Sequence, residues 1–196
     1  MAPQAVESQQ AVERPQAVEV AETIAALDAR AFDPAMRAKA KACLLDFLGC
    51  AFEATALGPS RQAVAAVFEA PGGHMIGETA TATPADAAFI NAVKGHGLVR
   101  EDMHAASVSH HGVVVWPLLL ALAETRRIAG PRLLEAAILA YEVGGRLGRL
   151  LIDRELSSLF RPTGLVAPIG AAAGGARLLG LHSSQTVSAL AVAANT

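Results

Sequence analysis

The sequence predicts an all-α domain, a compact bundle of about eight helices. Three observations carry this. Apolar residues recur at helical spacing over most of the chain, and no segment sustains a period of two. Aromatic residues make up only 4% of the sequence, and strands depend on such side chains for packing. Glycine and proline fall between the periodic segments, as Gly58-Pro59, Pro71-Gly72-Gly73 and Gly130-Pro131, where they stop one helix or start the next.

Residues 1–19 read as a disordered leader, and 20–196 as the helical domain. Gln-Ala-Val-Glu occurs at 4–7, 10–13 and 16–19, but a period of six matches no helical repeat, and Pro3 and Pro15 interrupt it. A short amphipathic helix follows, with Ala21, Ile24, Ala25 and Leu27. Asp33-Pro34 reads as N-cap and first helical residue of a helix carrying Met36, Ala40, Cys43, Leu44, Phe47 and Leu48 on one face. Val64, Val67 and Phe68 place another helix over 60–70. Residues 74–83, rich in Thr and Gly, read as a loop or short hairpin. Thr83-Pro84-Ala85-Asp86 resembles a capping box opening a helix to about 97.

Further helices are expected over 112–128 and 131–152, the latter with Leu134, Ile138, Tyr141 and Leu147 on one side. A break at 157–163 precedes a helix at 164–179, in which Gly170 and Gly174 would let two backbones approach closely. Gly180 ends it, and Ser183 or Ser184 caps a last helix, 185–194. The chain then stops at Ala-Ala-Asn-Thr with no obvious terminal cap, which suggests a truncated or split protein.

Hydrophobic residues are 53% of the sequence and the mean hydropathy is +0.38, so an apolar surface meeting another domain or subunit is expected. A membrane span is not, because the longest apolar run, 113–123, is too short and contains Pro117. The net charge of −2 without a basic stripe argues against nucleic acid. Cys43 and Cys50, seven apart on one helix, cannot bridge and read as free thiols in a reducing compartment. With no signal peptide in view, the expected location is cytoplasmic.

Chemistry concentrates at 94–123. Four of the six histidines (His96, His104, His110, His111), with Glu101 and Asp102, precede the apolar run. A polar loop held by a buried helix is a common way to build a site; a solvated loop before a core helix is the plainer reading. Asp102, His104 and His110 match no standard metal spacing, and no metal or other cofactor is expected. Lys94 near a helix end reads as a solvated charge rather than a Schiff-base lysine.

The order of motifs resembles the helical domain of the MmgE/PrpD family, which contains 2-methylcitrate dehydratase, cis-aconitate decarboxylase and iminodisuccinate epimerase. The resemblance rests on Leu-Leu-Asp-Phe-Leu-Gly (44–49), Ala-Ala-Phe-Ile-Asn-Ala (87–92), His96, the acidic loop, His110 and Pro117. It continues through Leu-Ala-Leu-Ala-Glu (120–124), Ala-Tyr-Glu-Val (140–143), Pro-Thr-Gly (162–164) and the small-residue run 170–181. It implies a small di- or tricarboxylate substrate, no cofactor, and a homodimer or a complex with a chain supplying a second, α+β half. The site it implies is His-x-x-Asp-x-Asp-Asp-Thr followed by His-Pro. His96 matches the first His, Asp102 the paired Asp, and His110 the second His, while His111 replaces Pro, Val99 the first Asp and Met103 the Thr. Arg161 stands in place of a His in a later motif.

The family's reactions form or discharge a carbanion next to a carboxylate, which needs a base working near pH 7 and cations to hold negative charge. His110 is the expected base, with Asp102 orienting a His or a substrate hydroxyl. His96, His111 and Arg161 are the expected substrate-binding groups, Arg161 through a bidentate carboxylate contact. The substituted positions support a second expectation, a non-catalytic helical subunit or relic that assembles with another chain.

Overall fold

A computed structural model describes residues 15–28 and 32–195. The described chain is an all-α domain with one two-stranded hairpin. Its elements run α1 (Gln16–Ala26), α2 (Pro34–Glu53), a 3-10 turn (Ala54–Ala56), α3 (Gly58–Ala65), β1 (Gly73–His74), β2 (Thr81–Ala82) and α4 (Pro84–His96). There follow α5 (Gly112–Arg126), α6 (Gly130–Leu151), α7 (Arg154–Leu159), α8 (Pro162–Leu179) and α9 (Ser183–Ala193). Most of the expected leader, 1–14, lies outside the described residues, whereas 16–19 form the first turn of α1.

Local chemistry sets most helix ends. The Asp33 carboxylate accepts from the Met36 N–H with Pro34 in the first turn, and Thr83 Oγ1 accepts from the Asp86 N–H. Gly180 at φ 68° closes α8, and Arg127 at φ 52° closes α5. Four expectations change. The expected break at 157–163 contains the end of α7, a short helix that the Asp153 side chain starts by accepting from the Leu156 N–H. His182, not a serine, caps α9, paired with Gln185. That helix closes at Ala193 with Ala194 as its C-cap. And α3 ends at Ala65 with Ala66 as its C-cap, short of the expected 70, leaving Phe68 90% exposed while Val67 still packs against the core.

The core lies between α2, α5, α6 and α8. Phe47, Val115, Trp116 and Leu119 are fully buried in it, each worth about 1.5–3 kcal/mol of burial. Besides Leu133 and Leu139, the buried residues of α6 are small (Ala136, Ala137, Ala140, Gly144, Gly145 and Gly148), while the expected bulky side with Leu134, Ile138, Tyr141 and Leu147 is only partly buried. The reason is α8. A methyl group on Gly170 would stand 2.5 Å from the Ala140 carbonyl oxygen, and one on Gly174 would stand 2.7 Å from that of Ala136. The two backbones touch, as the Gly170–Gly174 step implies, so only small residues fit between them. A second cluster (Ala63, Met75, Ala82, Ala87, Ile90) seats the hairpin on α3 and α4, and a third ties α1 and α9 to the outer side of α6 and α8.

Lys94 corrects another expectation. It is completely buried, donating from Nζ to the Ile76 carbonyl (2.5 Å) and to Glu78 Oε1 (2.6 Å). With Asn91, which bonds both Ile76 N–H and the His74 carbonyl, it fastens the hairpin to α4. Cys43 and Cys50 are buried free thiols, as expected. Among the described residues no single helix is long and apolar enough to cross a membrane; only α2 through α3, bent by 85°, passes jointly.

Candidate active site

Two helices and a loop build the site. α4 ends at His96, and Gly97 follows as its C-cap. The chain then turns through Val99, a β-branched residue held at φ 50° and 54% exposed. That left-handed conformation is costly for Val but tolerated by Asp and Asn. Position 99 is where the resemblance places an Asp, a residue that this conformation suits better than Val.

Glu101 comes next, and its side chain is fully buried. Its Oε1 lies 2.5 Å from His96 Nδ1 and 3.1 Å from His110 Nδ1. The two rings meet edge to face, with centroids 5.4 Å apart. His110 Nδ1 is close to the carboxylate without being aligned to donate, and Glu101 Oε2 likewise has no hydrogen-bond partner. The His110 backbone N–H donates to Thr163 Oγ1 at 2.9 Å, so the first turn of α8 fixes the loop. The His110 side chain is 14% exposed and that of His96 38%, so the cluster opens toward solvent on the His96 side.

Asp102 faces another way. Its Oδ1 accepts from Tyr141 Oη at 3.0 Å, and Tyr141 Oη accepts from Trp116 Nε1 at 3.0 Å. Its backbone N–H donates to Asp46. Burial raises the Asp102 carboxyl above its ordinary range, partly opposed by the Tyr141 bond, and burial also pushes the Tyr141 hydroxyl up. Asp102 therefore ties the loop to α5 and α6. It also borders an open polar hollow with Lys39, Cys43, Asp46 and Arg100.

His111 is 1% exposed. It ends a chain of side-chain hydrogen bonds running His104 Nδ1 to Ser107 Oγ (2.7 Å), Ser107 to Ser109 (2.5 Å), and Ser109 to His111 Nε2 (3.1 Å). Burial lowers its imidazole to about 4, with His104 and His110 adding to the effect, so it is neutral at pH 7. The glycine face of α6 makes room for this chain. A methyl group on Gly144 would stand 2.8 Å from the His111 ring, and one on Gly148 would stand 2.4 Å from Ser107 Cβ. Arg161 is exposed at the N-cap of α8, two residues before Thr163. Met103 is 53% exposed.

The structure thus brings together His96 and His110 of the expected residues, and sets Asp102 and His111 into supporting networks. Glu101 is the group that sequence reasoning passed over. An acid in a polar turn looks solvated, and only its position five residues after His96 hinted otherwise.

A family model described as the MmgE/PrpD N-terminal domain matches residues 18–196. The chain belongs to the MmgE/PrpD family. Among its MmgE/PrpD relatives are the cis-aconitate decarboxylase of Aspergillus terreus, 31% identical over 79% of this chain and 34% of the relative, and a cis-aconitate decarboxylase-like protein of Aspergillus oryzae, 30% identical over the same shares. The cis-aconitate decarboxylase of Homo sapiens is 35% identical over 56% of this chain and 24% of its own length. The chain spans about a third of the length of the fungal relatives it matches.

Proposed function

We propose that the chain forms the helical half of a lyase or isomerase that acts on a small di- or tricarboxylate, with His110 as the proton-transfer group. The observation that carries this is the buried Glu101 carboxylate 3.1 Å from His110 Nδ1. A carboxylate on that side favours a proton on Nδ1 and leaves Nε2 to work on the substrate, while the bond from the His110 backbone N–H to Thr163 Oγ1 anchors the residue. In the dehydrating direction Nε2 takes a proton from the carbon beside a carboxylate, and the resulting carbanion expels hydroxide. In epimerisation the same carbanion is reprotonated on its other face. In decarboxylation the bond to CO2 breaks, its electron pair stays on carbon, and an imidazolium supplies the proton. The names of the relatives favour the last of these.

Exposed Leu45, Phe52, Phe89, Leu150, Leu159 and Phe160 support a partner surface, either a second copy or a chain supplying an α+β half. No nucleic acid or membrane enters this reading, nor does a cofactor, and its setting is cytoplasmic. His110→Ala in the assembled protein should lower turnover of cis-aconitate by about 10²–10⁴-fold with far-UV circular dichroism unchanged. Undiminished turnover refutes His110 as the proton-transfer group.

A second reading, a non-catalytic helical subunit, is favoured by exposed Val99 and Met103 at two positions where the resemblance has polar groups. It requires that an assembly containing His110→Ala keep full turnover, the work being done on the partner chain.

A further inference from the structure

We infer that His96, Glu101 and His110 form a binding site for one divalent transition-metal ion of the zinc class. One ligand atom from each lies within 4.8 Å of the others. Glu101 Oε1 is already 2.5 Å from His96 Nδ1 and 3.1 Å from His110 Nδ1. Zinc bonds to imidazole nitrogen and carboxylate oxygen are about 2.0–2.2 Å, which places tetrahedral donors roughly 3.3 Å apart. Glu101 Oε1 reaches that spacing from both imidazoles by drawing back less than about 1 Å.

Three observations make a cation a better occupant than a proton. Glu101 Oε2 and His110 Nδ1 are both buried with no hydrogen-bond partner, although unmet buried polar groups cost about 1–3 kcal/mol each. No arginine or lysine pairs with Glu101 among the described ion pairs; its only close cationic candidates are the two imidazoles. And two neutral imidazoles with one carboxylate is a donor set that zinc takes in three-ligand sites, leaving a fourth position for water or an anion. His96, the most exposed of the three, leaves a path from solvent to the cluster. His104 is outside the set, held by Ser107.

The site does not depend on the catalytic reading, but one consequence does. An imidazole that ligates through Nδ1 keeps its proton on Nε2 and cannot act there as a base. Zinc would then inhibit any turnover that runs through His110.

The test is titration of the metal-free 196-residue chain with zinc chloride by calorimetry near pH 7, with cobalt(II) absorption as a second readout. One equivalent should bind, and cobalt should give the visible bands of a tetrahedral nitrogen–oxygen site. Changing an outer-shell partner weakens metal sites by about 10–100-fold, so His96→Ala and Glu101→Gln, which remove a direct ligand, should weaken binding by at least about 100-fold. His104→Ala should bind as the parent does. His96→Ala keeps the test decisive if Glu101→Gln fails to fold, because the His96 side chain is 38% exposed. Well under one equivalent bound, or affinity unchanged in the folded His96→Ala variant, overturns the site. Tight binding that leaves turnover intact supports the site and counts against His110 as the base.

Discussion

Gly170→Ala and Gly164→Ala put the same methyl group at two places in one helix, and they should change stability in opposite directions. Within a helix, Gly to Ala gains about 1 kcal/mol of propensity. At Gly164, in the first turn of α8, nothing stands within 4 Å of the added carbon, so up to that gain is kept. At Gly170 the new carbon would stand 2.5 Å from the Ala140 carbonyl oxygen and 3.0 Å from the Gly144 backbone. None of these atoms can swing aside, because all belong to the backbone of α6. Relief requires α8 to move off α6, and forcing an extra carbon into a packed core costs typically about 1–3 kcal/mol, more where backbone must shift. With propensity subtracted, Gly170→Ala should be destabilised by up to about 2 kcal/mol, more where the backbone shifts, while Gly164→Ala is stabilised by up to about 1 kcal/mol. For a chain of this size, 1 kcal/mol corresponds to about 2–4 °C in Tm. Urea denaturation followed by far-UV circular dichroism reads both. Equal stabilisation by the two substitutions would show that α6 and α8 are not in backbone contact, and the packing described above would be wrong.

Two further outcomes follow from the site. His111 titrates near 6.5 when unfolded and at about 4 when folded, so the unfolded chain binds the extra proton between those values. Its contribution is complete above pH 6.5 and is lost as pH falls toward 4, roughly 3 kcal/mol in all. His111→Gln should flatten that acid limb; Asp102, raised by burial, works in the opposite sense and cancels in the difference between the two profiles. An identical acid limb in the variant would show that His111 is not buried neutral. Val99→Asn should raise stability by about 1 kcal/mol by relieving a left-handed β-branched residue at an exposed position, measured as a higher urea midpoint. A lower midpoint would mean that the turn is not strained.

The helical class, most helix starts, the free buried thiols and a close backbone approach at α8 were legible in the sequence, though not that its partner is α6. They rest on short-range rules: spacing along a helix, a carboxylate or hydroxyl at an N-cap, a pair of glycines four apart. The polar loop was legible too, because four histidines and two acids within sixteen residues stand out against an Ala-, Leu- and Val-rich background. What each polar residue does was not. Lys94 looked solvated and is completely buried; Glu101 looked like a loop acid and is buried against two histidines; His111 looked available and is sealed beneath Gly144. In each case the deciding partner is on another element or across a turn, and burial by such a partner has no signature in the local sequence. The sequence by itself determined that helices form and where the polar loop falls. Tertiary structure decided which of that loop's side chains lose water, because that depends on the space left by the small residues of α6 and by the end of α4.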